Sequence, residues 1–519
     1  MKRSAQVLLL AVLLALKPAC GGGGATGGDA PSGGPLVLPD VVASLPLDTS
    51  PATVTINTAS PALTDAQAQT ALQNALNAGG KIVLTNGGTP RTIVLTATLN
   101  MPSNSGTPKS VILDGSDQIT LSGNALFKIL EIQDMAQLTV QRMKFINART
   151  AQSGAGINSA ARVRLVTLIN CTFDNCQTTA TGPDRGGGAV RIANGQHTQI
   201  SNCTFNQCAG SNGGAVNSLG TRLTILNSTF TLNSAFGTGG GADAGPTGQG
   251  GIGGAVYVDN VSNDPSALHQ LWISGCTFNA NQANDHAGAV FGYTNPSAPS
   301  TTIIDRCTFS ANTVTGGHGH SGAIYSQAGS LTLSHSTFTL NQAASSGGGM
   351  FCTNSSSLIA NCTFQGNTAV NLGGGVFAPN GNVSLVNVTM AQNVANNFAG
   401  GLFSVAGSTT VQNCVFSANT AVGNIFAGDQ ANDSFAGGAN VQAPDSALPG
   451  GKSVSATGTT RVASAMLGPL QNNGGPTFTM RPQVGSAAIN LAGVSGAPLL
   501  DQRGMGRNGT TDAGACEGP

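Results

Sequence analysis

Ionisable side chains are scarce in this chain of 519 residues: Asp, Glu, Lys and Arg make up 8%, divided evenly into 21 basic and 21 acidic residues. So sparse and balanced a charge excludes the electrostatic field that nucleic-acid binding needs, and neither nucleic acid nor an anionic lipid surface is expected as a charge-driven partner. No Cys-x-x-Cys spacing occurs among the 11 cysteines, so a zinc ribbon is not supported. Signals for tight hairpins are few, which excludes a β-meander. No terminal membrane-barrel signature is present. Acids are few as well. Between Phe145 and Phe416 they are Asp174, Asp184, Asp243, Asp259, Asp264, Asp285 and Asp305, and they share no repeat position. The facing carboxyl pair of a glycoside hydrolase, about 5 to 9.5 Å apart, is therefore not expected.

What the chain has instead is glycine, 73 residues of it, and an internal repeat. The repeat is clearest from Leu331 to Met350. With its aromatic as origin, copies fall at Phe145, Phe173, Phe205, Phe230, Phe278, Phe309, Phe338, Phe364, Met390 and Phe416. Successive origins are 28, 32, 25, 48, 31, 29, 26, 26 and 26 residues apart by subtraction of these positions. Five residues before the origin stands an aliphatic side chain, from Val140 and Leu168 to Leu385 and Val411. Two before it stands a small or apolar residue, often cysteine.

Offsets of two and five cannot share one face of a straight strand, so the chain has to turn a corner between them. At that corner, three before the origin, six copies carry asparagine: Asn170, Asn202, Asn227, Asn361, Asn387 and Asn413. Asparagine holds the left-handed conformation of a tight bend better than other non-glycine residues. Three after the origin a second polar column appears, made of Asn233, Asn281, Asn312, Asn341, Asn367, Asn393 and Asn419. Stacked asparagines hydrogen-bond along in-register strands. The last landmark is Gly-Ala or Gly-Gly before an aliphatic, as in Gly188-Ala189-Val190 and Gly374-Gly375-Val376. Small residues there let the backbone approach closely.

A period near 26 residues with these columns predicts an all-β, three-sided, right-handed parallel β-helix; a propeller blade needs about forty residues per copy. Repeats span 135–422, and the 48-residue interval extrudes a glycine-rich loop over Gly237 to Gly254. Residues 51–134 read as an N-terminal cap with irregular first coils, 423–465 as irregular last coils and 466–519 as a separate C-terminal segment. Within the cap, Ala66, Leu72, Ala75 and Leu76 give 62–78 a helical pattern ended by Gly79-Gly80. Such a helix would cover the open end of the stack.

At the N-terminus, Lys2 and Arg3 precede an apolar run from Val7 to Leu16, too short to span a bilayer, and residues 1–20 read as an export signal. Ala19-Cys20-Gly21 resembles a bacterial lipoprotein cleavage box, which implies lipidation at Cys20; Lys17 departs from that box. Ordinary secretion and an uncleaved anchor are the alternatives. Gly- and Pro-rich residues 21–50 read as a flexible tether.

Three further resemblances follow from quoted residues. Val111-Ile112-Leu113-Asp114-Gly115 resembles the opening segment of pectate-lyase-like β-helices. The combination Phe-x-x-Asn with Gly-Gly-Ala-aliphatic resembles the repeats of chlamydial polymorphic outer-membrane proteins, which are β-helical surface adhesins. The tail resembles the choice-of-anchor Q domain of bacterial surface β-helix proteins through Asn473-Gly474-Gly475-Pro476-Thr477, Asp501-Gln502-Arg503-Gly504, Arg507 and Asp512 to Glu517. Together they imply an exported, monomeric protein, either an outer-membrane lipoprotein at the cell surface or secreted, whose membrane contact is the lipid anchor alone. Its role would be non-catalytic: structural, or adhesin-like binding of glycans or surfaces. The alternative is a polysaccharide lyase or glycoside hydrolase of the pectate-lyase-like fold. No motif for a cofactor or for catalysis is carried over.

Two sets of side chains remain as candidates. His286 and His320 stand at the same repeat position in consecutive coils, and with Asp285 and His318 beside them they form a possible divalent-metal set, against a reading as loop histidines in polar turns. Cys176 and Cys208 occupy the Asn column in neighbouring coils. A stacking distance of about 4.8 Å suits a disulfide, and Cys171–Cys203 and Cys276–Cys307 are the other neighbouring pairs.

Overall fold

Each coil turns on residues held at positive φ. In the computed structural model, which describes residues 36–519 apart from 103–108, 160–161, 239–249, 260–269, 295–299, 406, 424–428, 446–452, 455–457, 492–495 and 508–509, all six corner asparagines lie in the left-handed region, with φ between 49° and 54°. His335, Arg142 and Arg306 take the same conformation where asparagine is missing. A second left-handed corner follows two residues after the aromatic. It is held by Asn147, Asn175, Gln207, Leu232, Ala280, Ala311, Leu340, Gly366, Gln392 and Ala418. No residue type marks that corner, so the sequence did not reveal it.

Between the corners run short parallel strands. Ser330–Ser334 belongs to one 14-stranded sheet and Thr337–Thr339 to another; Gln342–Ala343 lies in a 10-stranded sheet of two-residue strands and Met350–Thr353 in an 11-stranded sheet. The coil is thus three-sided with a short fourth strand at one corner, and the chain is an all-β, right-handed parallel β-helix. Fourteen strands at a spacing of about 4.8 Å make a rod of roughly 60 Å.

Register places each repeat position over itself. Phe309 pairs with Phe338, and Phe338 with Phe364. From Phe145 to Phe364 the rings stack with centroids 4.5 to 5.1 Å apart and planes within 12° of parallel. That is the offset-stacked arrangement the ring quadrupole favours. Phe416 resumes the column after Met390, and the aliphatics five residues earlier are equally buried.

The asparagines at plus three are interior as well. Each side-chain Nδ2 from Asn233 to Asn393 donates to the Oδ1 of the next coil at 2.8 to 2.9 Å. The same Oδ1 accepts the backbone N–H of the preceding Asn, and Nδ2 also reaches a phenylalanine carbonyl, as from Asn341 to Phe309. A buried carboxamide costs little only when its groups are paired, and here the ladder pairs them. Glycine before the aliphatic is required by the next coil: a Cβ on Gly322 would lie 2.2 Å from the carbonyl oxygen of Gly348.

Helix α1, Asp65–Ala78, caps the first coil. Thr64 and Gln67 form a reciprocal capping box, and Gly79 at φ 85° ends the helix. Its buried face is Ala68, Leu72, Ala75 and Leu76. Ala66, expected inward, is exposed and Ala68 takes its place, because the helix meets the coil half a turn later than the sequence pattern suggests.

The two terminal segments depart most from expectation. Residues 36–50, read as tether, lie along the asparagine corner instead. Ser44 bonds Asn202 and Asn227, the Asp48 N–H donates to Gln141, and Lys81 pairs with Asp48 at 3.0 Å. Arg306 donates to the carbonyl of Pro39. The C-terminal segment continues the same seam: Thr477 donates to the His335 carbonyl, Gln502 receives the Thr363 hydroxyl, Asn361 donates to the Leu500 carbonyl and Asn387 to that of Asp512. The two segments meet where Leu36 bridges Pro498. Side chains that turn the corner leave polar groups facing outward, and the straps supply partners to Asn202, Asn227, Asn361 and Nδ2 of Asn387, while the Asn413 carboxamide is buried without one.

Asn341→Ala removes the acceptor of two hydrogen bonds and two donated ones from a buried position. It should lower the unfolding free energy by about 2–4 kcal/mol, whereas the exposed Gln342→Ala should change it by less than about 0.5 kcal/mol. Paired urea titrations followed by circular dichroism check this.

Candidate functional site

On the outer face of the 11-stranded sheet, one register position runs the length of the rod. Its residues are Asn100, Glu131, Asn158, Arg191, Asn217, Tyr257, Phe291, Tyr325, Phe351, Phe377 and Phe403. The first five are polar and the last six aromatic. In sequence this is the residue after Gly-Ala-aliphatic or Gly-Gly-aliphatic. The position is legible in the sequence, but because its residue changes from polar to aromatic along the chain it does not stand out as a column in the way the glycines before it do.

The aromatic half is a second apolar core outside the coil. Tyr257, Phe291, Tyr325, Phe351, Phe377 and Phe403 are all buried, and Ile252, Ala287 and Ala399 from the preceding corner segments cover them, with Leu372 and Phe398 at the margin. His286 and His320 belong to this core. The two rings are neighbours, as their shared repeat position implied, with centroids 5.3 Å apart but planes tilted by 45°; His286 lies flat on Tyr325 at 5.1 Å and His320 is tilted against Phe351 at 4.7 Å. Nδ1 of His286 accepts the backbone N–H of His320 and lies 3.3 Å from Asp285. His318 is exposed and points to no shared centre with them. Among the described residues no three His, Cys, Asp or Glu side chains group as metal ligands, Asp285, His286, His318 and His320 included. Burial, then the neighbouring His286 and His318, pushes the His320 pKa down to about 3, which keeps the ring neutral.

The polar half is open. A cleft of about 540 Å³ is lined by Gln152, Ser153, Asn158, Thr181, Arg185 and Arg191 with Ala151 and Ala180. This volume lies within the range of small-ligand sites. At its N-terminal end Lys128 pairs with Glu131 at 2.5 Å, and Asn158 donates to the other Glu131 oxygen at 2.7 Å. Arg191 is mostly buried. Its Nη2 reaches the Asp184 carbonyl at 3.4 Å and its Nε has no partner. Burial and the like charge of Arg185 lower the Arg191 pKa. Neither guanidinium forms an ion pair among the described residues. In coils on either side, Oδ1 of Asn158 and Oδ1 of Asn217 are buried without a hydrogen-bond partner. Three such atoms fall in consecutive register positions here, Asn158 and Arg191 at the cleft and Asn217 fully enclosed beyond it. Because Asn158 and Arg191 follow glycine landmarks, their placement was available from the repeat; Glu131 and Lys128 precede the recognised copies and were not.

The remaining candidates have architectural positions. Cys176 and Cys208 occupy stacked positions as expected, and in the neighbouring pair the Cys171 N–H donates to the Cys203 sulfur. All ten described cysteines are nevertheless buried free thiols, so the expected disulfides are not formed. Their sulfurs also donate to carbonyls, Cys208 to Asn206 and Cys171 to Val140, and Cys208 joins the ladder through its N–H to Asn233. Burial raises the pKa values of Cys171, Cys208 and Cys307, which disfavours their thiolates. Cys20 lies outside the described residues, as does most of the extruded loop. The tail motif builds a clasp: Asp501 takes two hydrogen bonds from Arg503 and one from the Glu517 N–H, and Arg507 spans from Glu517 to Asn361. Burial raises the Glu517 pKa despite Arg507.

His320 binds no proton when folded until about pH 3, but does so below about pH 6.5 when unfolded. Stability should therefore fall as pH drops from 6.5 toward 4. His320→Phe, which fits the aromatic core, should reduce that slope; denaturant midpoints across this range measure it. Zinc titration of the wild type by calorimetry should give no isotherm from this pair.

No model of a known protein family matches the chain. No curated protein matches it either. Among solved structures, the PL6 family alginate lyase AlyGC is similar at 12% identity and a TM-score of 0.38 over 89% of this chain, which spans 57% of that lyase. A mannuronic acid specific polysaccharide family 6 lyase from human gut microbiota is similar at 13% identity and a TM-score of 0.34, over 77% of this chain and 82% of the other. What the chain has in common with both is the parallel β-solenoid.

Proposed function

We propose that this is an exported β-helix, anchored at the cell surface through Cys20, that binds an acidic glycan without cleaving it along the polar half of its 11-stranded sheet. The observation that carries the reading is the cleft itself: two guanidiniums without ion partners, flanked in successive coils by the partnerless carbonyl oxygens of Asn158 and Asn217. A uronate offers a carboxylate to Arg185 and Arg191, and a hydroxyl donates to the Asn158 oxygen that lines the cleft. Guanidinium is the group best matched to a carboxylate, because its planar donors meet both oxygens. The coil step of about 4.8 Å sets these groups out along the direction an extended chain would follow. With charge balanced over the whole molecule, recognition is local, not steered from a distance. The tail resembling choice-of-anchor Q and the repeats resembling those of polymorphic outer-membrane proteins agree with a surface role.

A second reading, β-elimination from the bound polysaccharide, is favoured by Lys128 and Glu131 at the end of the same cleft. Elimination needs a cation against the uronate carboxylate and a base for the neighbouring proton. Lys128 is held in an ion pair, which opposes its use as that base.

Calorimetry with polyuronate oligosaccharides and with neutral oligosaccharides of the same length tests the proposal. Binding should be confined to the acidic series and weaken by roughly ten- to a hundredfold in Arg191→Gln, the loss of one charge-assisted contact of about 1.5–3 kcal/mol. Equal binding of neutral chains would sink it. New unsaturated ends after incubation would replace it with the elimination reading.

A further inference from the structure

The terminal straps expose the apolar surface that the coils hide. Of 15 large hydrophobic side chains exposed among the described residues, eight lie on 36–50 or 466–519, among them Val37, Phe478, Val484, Leu499, Leu500 and Met505. Those on the coils are scattered singly, which needs no explanation. The strap residues are gathered. Leu36 bridges Pro498 in parallel, so Val37 and Leu499, 87% and 68% exposed, lie side by side where the straps meet. Leu500 and Met505 follow in the same clasp, and the Phe478 carbonyl accepts from Gln502 within it. The charges of the clasp are turned inward: Arg503 is held by Asp501 and Arg507 by Glu517. An apolar stripe therefore runs along the corner between the two 14-stranded sheets, interrupted by the exposed carboxylate of Asp40 between Val37 and Val41. That corner does not border the 11-stranded sheet.

We propose that this stripe lies against lipid, so that the rod rests lengthwise on the membrane surface with the glycan-binding cleft facing away. The inference rests on the reading of Cys20 as the lipidated residue. From Cys20 to Leu36 is 36 − 20 = 16 residues, a reach of at most about 55 Å, and Leu36 stands in the patch itself. The apolar junction is thus the part of the body that the chain brings to the bilayer first. A buried acyl chain supplies one attachment, and an apolar side-chain surface beside it supplies a second, which fixes orientation. A second copy of the protein is the competing occupant.

The full-length protein, isolated from membranes, is reconstituted into phosphatidylethanolamine and phosphatidylglycerol vesicles containing a phospholipid with a photoactivatable acyl chain. Cross-linked peptides are then mapped by mass spectrometry. Cross-links concentrated in 36–50 and 478–505 are expected. They should be lost in a Val37→Ser, Leu499→Ser, Leu500→Ser variant whose melting temperature is unchanged. Cross-links spread equally over the coils, or protein-to-protein cross-links between two straps, would overturn the proposal. The mass of the N-terminal peptide reports lipidation separately: an unmodified Cys20 overturns the anchor, and the same vesicles then test whether the stripe binds lipid without it.

Discussion

Everything in this molecule depends on in-register stacking of parallel strands. Each side chain meets its own repeat position in the next coil about 4.8 Å away. A residue type is tolerated in a column only if it is favourable next to itself. Phenylalanine meets this condition through offset stacking and asparagine by donating from one carboxamide to the next. A repeated charge does not, because like charges at that distance repel. The scarcity of ionisable groups is thus a consequence of the architecture. Where charges do occur they stand beside unlike neighbours, as Arg191 does between Asn158 and Asn217.

The outward column of the 11-stranded sheet shows how one position can carry two roles. From Tyr257 onward it is aromatic, and corner segments fold over it to make a second core. Before that it is polar, and the cleft stays open. The difference lies in one residue per coil, after identical glycine landmarks. Burying the two histidines in the aromatic part makes them packing groups, which explains why a pair that looked suited to a metal does not gather ligands.

The straps solve a problem that the coils create. A corner turned by asparagine leaves carboxamides and hydroxyls facing outward, and a long seam of such groups would otherwise be completed only by water. Residues 36–50 and the tail complete it with protein. The tail motif is accordingly read as a clasp: its Asp, Arg and Glu side chains lock the segment to itself and to Asn361.

The amino-acid sequence alone determined the parallel β-helix, the asparagine corner, the interior phenylalanine and asparagine columns and the capping helix, because each is a local rule repeated at fixed offsets. The corner two residues after the aromatic stayed hidden, since stacking forces it on leucine and alanine as readily as on asparagine. Thiol stacking was legible, but whether the thiols bridge was not, since that depends on the carbonyls their sulfurs meet. The course of the straps, the shielding of the histidines, the meeting of Asn158, Arg185 and Arg191 in one cleft and the link from Asn158 to Glu131 were decided only by the tertiary structure. These contacts join residues that share no period, and only the folded rod brings them together.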